Sequence, residues 1–87
     1  MYARVIHATI SDLAEATRGL EEEVLPTIKG APGFLGAYFV AVDDSHGVSI
    51  EVFETDEQAH AFAPPEGTEA PGVTVSTIQF GAVIGSA

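Results

Sequence analysis

The chain has no cysteine, no tryptophan and no asparagine among its 87 residues, and only three lysines and arginines. Without cysteine it forms no disulfide and no thiolate metal site. Three cations stand against thirteen acids, a net charge of −10. Phosphate backbones and anionic membrane surfaces repel such a chain, which argues against nucleic-acid and membrane partners. No apolar run approaches the roughly 18 residues that a transmembrane helix requires. Met1 to Ile10 includes Arg4 and no long apolar stretch, so it does not read as a signal peptide, and the expected location is the cytoplasm. P-loop, GxGxxG, GxSxG and HExxH patterns are all missing. The three histidines, His7, His46 and His60, lie too far apart in sequence to form a short ligand pair, and no metal or other cofactor is expected.

What is present is a hydrophobic fraction of 46%, enough for a packed core and too much for a disordered chain. The length allows one domain, spanning residues 1–87. A domain of this size buries only about 60–65% of its unfolded surface and commonly needs a further source of stability. With disulfides and metals set aside, self-association is the remaining candidate.

Tyr2 to Ile10 reads as a strand rich in β-branched residues and apolar at both parities, which predicts cover on both faces. Asp12 with Glu15 has capping-box spacing, and Leu13, Ala16, Thr17, Leu20, Val24 and Ile28 repeat at helical intervals. Pro26 predicts a kink or break in that helix, and Gly30-Ala31-Pro32-Gly33 ends it. Phe34–Val42 and Val48–Phe53 read as a hairpin of two strands around Asp43–Gly47. Thr55 with Gln58 opens a short helix to about Ala63, which Pro64-Pro65 stop. Residues 64–72 read as an exposed, mobile loop, and Val73 to about Ile84 as a last strand.

The order β-α-β-β-α-β predicts an α+β, ferredoxin-like fold: a four-stranded antiparallel sheet with both helices on one face. The other face, apolar and uncovered, predicts a sheet-on-sheet homodimer.

The junction Pro26, then Pro32-Gly33-Phe34-Leu35-Gly36-Ala37-Tyr38, resembles the P…PGF-x-G-x-Y segment of dimeric α+β barrel proteins. Gly47 to Ile50 and Val52-Phe53-Glu54-Thr55-Asp56-Glu57 resemble their third strand running into a W-E-S/T-x-E helix start. The likeness covers nearly the whole chain and is nearest to the antibiotic-biosynthesis-monooxygenase type. It implies a homodimer with a cavity between sheet and helices in each subunit. It also implies cofactor-independent oxygenation of a small aromatic or polyketide-type molecule. The chain departs from the catalytic pattern in lacking Asn and Trp, and Phe53 stands where Trp is frequent. Haem degradation is disfavoured on that ground. A non-catalytic dimer of the same fold, binding a small ligand or serving as an interaction module, is the alternative.

For a catalytic role the candidates are His7, Glu51 and Tyr38. His7 lies mid-strand, where a neutral imidazole can take a phenolic proton, and Glu51 in the neighbouring strand can orient it. Against this stands a hydrogen-bonded pair at the dimer seam, or two residues that never meet. Tyr38 offers a hydroxyl to a phenolic oxygen, or is a core ring with its tip at the edge. Arg4, Phe53 and Gln79 are the candidate ligand-binding residues: a rare cation, an aromatic wall and a polar donor. Arg4 is equally explained by pairing with one of the many acids.

Overall fold

The structure, a computed structural model, describes residues 1–87. Its elements are β1 (Tyr2–Ile10), α1 (Leu13–Gly19), a π-helical turn (Leu20–Val24), α2 (Leu25–Ile28), β2 (Phe34–Ala41), β3 (His46–Phe53), α3 (Asp56–His60), β4 (Glu69–Ala70) and β5 (Val73–Ala82). The strands form one antiparallel sheet in the order β2-β3-β1-β5-β4. The chain is therefore α+β as expected, with five strands in place of four. No helix is long and apolar enough to cross a membrane.

The fifth strand arises within the 64–72 segment. Glu69 pairs with Thr74 and Ala70 with Val73 across a turn at Pro71-Gly72. Gly67 N–H donates to the Val75 carbonyl at 2.8 Å and Val75 N–H to that of Thr68 at 2.9 Å. The segment is thus stitched to β5 by its own backbone, where composition alone had indicated a free loop. Gly72, at φ 77°, brings its carbonyl to the Ser11 N–H at 2.9 Å; a Cβ there would stand 2.5 Å from the Asp12 carbonyl oxygen.

α1, the π turn and α2 follow without interruption and make one helical rod. Asp12 caps it, its carboxylate accepting from Glu15 N–H at 3.0 Å. Pro26 does not break the rod. The turn before it widens instead, with Leu25 N–H donating to Leu20 five residues back. A π turn is a recognised way to absorb a local defect in the helical ladder. α3 has the reciprocal capping box expected of Thr55 and Gln58, at 3.1 Å in each direction, but ends at His60.

Alternation then fixes the two faces of the sheet. Arg4, Ile6, Ala8 and Ile10 of β1, with Ser49, Glu51 and Phe53 of β3, face the helices. Val5, His7, Val48, Ile50, Tyr38 and Gln79 face away. Only seven of 87 residues are buried, with Phe53 and Ala59 the most enclosed. Phe34 meets Phe53 edge-on at 5.8 Å between ring centres. The close-packed core is therefore small and lies mainly under α3, with Ile28 at the end of the helical rod its one buried contribution from the rod.

Candidate functional site

The rod carries the apolar stripe that its sequence predicts, yet α1 and the π turn bury no residue. Between rod and sheet lies a cleft of about 850 Å³, partly open to solvent. Ile6, Ala8 and Ile10 line it from the sheet, and Leu13, Leu20 and Val24 from the rod. The volume falls within the range of small-molecule sites, about 300–1,000 Å³, and the mainly apolar wall is typical of them.

One polar cluster interrupts that wall. The antiparallel pairing of β1 and β3 sets Arg4 opposite Glu51 on the inner face. Arg4 Nε donates to Glu51 Oε1 at 2.5 Å, and Ser49 Oγ donates to Glu51 Oε2 at 3.2 Å. Arg4 Nη1 donates to the carbonyls of Ala59 at 3.4 Å and Ala61 at 3.0 Å, just past the end of α3. The guanidinium also lies 4.8 Å from the centre of the Phe53 ring. Arg4, Ser49 and Glu51 are 7%, 7% and 4% exposed, and all three border the cleft. The Arg4 Nη2 group makes no hydrogen bond within the chain, and no buried side-chain polar atom lacks a partner. Nη2 is therefore an accessible donor at the edge of an apolar space. The pair is internally neutralised, so the cluster offers a hydrogen-bond donor with little net charge.

The six candidate residues divide between the two faces. Arg4 and Glu51 meet each other in the cleft. Phe53 lies beneath them as a filled core ring, 1% exposed, and does not line the cleft. His7, Tyr38 and Gln79 are exposed on the opposite face. His7 pairs with Val48 and Thr77, so the sheet itself separates it from Glu51, and the expected His7–Glu51 dyad does not form. Tyr38 is 79% exposed opposite Ile50. Two residues of the site were missed. Ser49 has a signal in the sequence, since it stands two residues before Glu51 and so shares its face. Phe62, on the rim, has none, because its position follows from a backbone turn.

The remaining histidines belong to local structure. His46 Nδ1 lies 2.9 Å from Asp43 Oδ1 in the β2–β3 turn. The Ser45 N–H donates to the same carboxylate at 2.7 Å. Those two contacts, Ser45 first and His46 second, hold the Asp43 carboxyl below its ordinary value. His60 stacks on Phe80 with ring centres 3.7 Å apart, and its Nδ1 lies 2.9 Å from the Asp56 carbonyl. No group of three or more His, Asp or Glu side chains converges as a metal site.

No family model matches the chain, and neither a curated protein nor a solved structure matches it.

Proposed function

We propose that the chain is a homodimeric binding protein whose cleft between sheet and helices takes a small aromatic or polyketide-type molecule. One observation carries this reading: an amphipathic helical rod presents most of its apolar stripe, up to the buried Ile28, to about 850 Å³ of space instead of to side chains. Apolar surface left in water forgoes the stabilisation of burial, and a guest in the cleft would supply it. Arg4 Nη2 at its edge is suited to an oxygen acceptor on the guest. The net charge of −10 favours an uncharged guest over an anionic one.

The four long strands, in the order β2-β3-β1-β5 with the helices over one face, support the ferredoxin-like reading. In that reading β4 is an appended edge. Resemblance of the Pro32–Tyr38 junction to dimeric α+β barrel proteins points the same way. The partner in this proposal is a second copy. Tyr38, Val40 and Ile50, at 79%, 51% and 43% exposure, leave the β2–β3 part of the outer face apolar. Of the thirteen acids only Glu69, in the edge strand β4, occupies a strand position on that face. Two copies can therefore stack over the β2, β3 and β1 part of that face with little like-charge repulsion, although the chain as a whole is strongly acidic.

A second reading is cofactor-independent oxygenation of the same guest, with molecular oxygen as co-substrate. The buried Arg4–Glu51–Ser49 cluster favours it, because it gives a phenolic oxygen a fixed donor in a low-dielectric wall. Binding comes first because His7, the expected base, is outside the cleft and Glu51 is committed to Arg4.

Titration with the neutral fluorophore N-phenyl-1-naphthylamine, beside oxygen uptake with anthrone and hydroquinones, tests both. Saturable binding at one site per chain without oxygen uptake supports the first reading. Protein-dependent uptake that is lost in Glu51→Gln supports the second. No saturable binding of any of these compounds overturns both.

A further inference from the structure

Four residues have positive φ: Gly33, Gly67, Gly72 and Phe62. The left-handed region crowds Cβ against the backbone, so the chain uses glycine at three of these positions and phenylalanine at the fourth, at φ 57°. The turn that imposes this is visible on both sides. Before Phe62, the Ala61 carbonyl is held by Arg4 Nη1, and the Ala61 N–H donates to Glu57 at 3.0 Å. After it, the Ala63 N–H donates to His60 at 3.3 Å, and Pro64-Pro65 restrict the following backbone. The residue between must reverse sharply, and glycine would do so without strain.

The side chain is no better placed for the fold than its backbone. Phe62 is 90% exposed, the most exposed phenylalanine of the chain, although it borders the cleft. A strained backbone carrying an aromatic ring in water contributes nothing to a stable fold, and such strain clusters at ligand clamps. Both disadvantages are offset when a guest in the cleft covers the ring.

We infer that Phe62 is a ligand-contacting residue whose ring closes the open side of the cleft over a planar, uncharged aromatic guest and selects for that shape. The inference rests on the binding reading above and adds to it the guest's planarity and the residue that recognises it. Arg4 links the two ends of the site: Nε and Nη1 hold Glu51 and the turn before Phe62, while Nη2 remains for the guest. The cluster on the wall thus sets the position of the aromatic ring at the rim.

The test compares wild type, Phe62→Gly and Phe62→Tyr, each measured for N-phenyl-1-naphthylamine affinity, thermal midpoint and sedimentation. Loss of one aromatic stacking partner weakens binding by about tenfold in Phe62→Gly, while Phe62→Tyr stays within about twofold of wild type. The glycine variant melts no lower than wild type, because it relieves the strain and loses little burial. That separation of affinity from stability is the expected result. Glycine-variant binding within about twofold of wild type overturns the inference. So does an affinity loss that comes only with a lower melting point or a changed oligomer, which would make Phe62 a fold or interface residue. If the wild type itself fails to bind, the cleft reading fails first and this inference falls with it.

Discussion

Replacing Arg4 by methionine keeps the length of the side chain and removes its charge. Glu51, 4% exposed, would be left with Ser49 Oγ as its one remaining side-chain donor. Removing one partner of a buried ion pair costs about 3–5 kcal/mol, because the other charge stays desolvated. The substitution also frees the carbonyls of Ala59 and Ala61 and removes the cation from the Phe53 ring. At about 0.05–0.15 kcal/mol per residue, a chain of 87 residues has roughly 4–13 kcal/mol to lose. Each kcal/mol moves the melting point of such a domain by about 4–8 °C, so Arg4→Met should lower it by at least about 12 °C or leave the chain unfolded at room temperature. Arg4→Met/Glu51→Leu removes both charges and should restore most of the loss, to within about 1.5 kcal/mol of wild type. Thermal and urea unfolding followed by far-ultraviolet circular dichroism measure all four corners of the cycle. A single variant within about 1 kcal/mol of wild type, with no gain in the double variant, refutes the reasoning. It would mean that cleft water solvates the pair and that the polar cluster is ordinary surface.

Three shorter predictions probe the rest of the molecule. Gly19→Ala places its methyl group in open space within the rod and should stabilise the chain by about 0.5–1 kcal/mol, whereas Gly72→Ala drives a Cβ to 2.5 Å from the Asp12 carbonyl at positive φ and should destabilise it by at least about 2 kcal/mol; urea midpoints that fail to move in opposite directions contradict this. The Asp43 carboxyl has a folded value below its ordinary 3.8, so its contribution to the β2–β3 turn is present above that ordinary value and is lost as pH falls through the lowered one. A carbon-detected NMR titration giving an Asp43 midpoint at or above 3.8 would refute the Ser45 and His46 contacts as its cause. Ile50→Glu puts a charge on the outer face and should dissociate the proposed dimer in sedimentation equilibrium, with a monomeric wild type as the contrary result.

Elements were more legible in this sequence than faces. Capping residues and glycine-proline punctuation act locally, so Asp12, Thr55 and the Gly30–Gly33 stop were readable from neighbours alone. Which side of β1 faces the helices was not. Val5 and Ile6 are equally apolar, so the strand lacks the period-two contrast that assigns an inner face. Only the register decides it, and the register pairs Arg4, not His7, with Glu51. Arg4, read as a ligand residue or the partner of an acid, and Glu51, read as the carboxylate that orients His7, both border the cleft and form one ion pair with each other. Phe62 was hidden for a different reason. The left-handed phenylalanine follows a carbonyl that Arg4 holds from 57 residues away in sequence, and no local pattern encodes that contact.

Cleft and outer face also bear on one another through stability. A rod that stands away from the sheet forfeits the contacts that would normally fix it, and seven buried residues make a slight core for a chain of 87. The hydrogen-bonded sheet supplies part of what is missing, since β1 is paired along its length on both sides. That ladder cannot substitute for apolar burial, because intramolecular hydrogen bonds replace bonds to water at a small net gain. Further uncommitted apolar side chains lie on the outer face, where Tyr38, Val40 and Ile50 await cover. Burying that face between two copies would stabilise the sheet without filling the space beneath the rod. On this reasoning the proposed dimer and the proposed binding site depend on each other: association on one face of the sheet allows the other face to remain open for a guest.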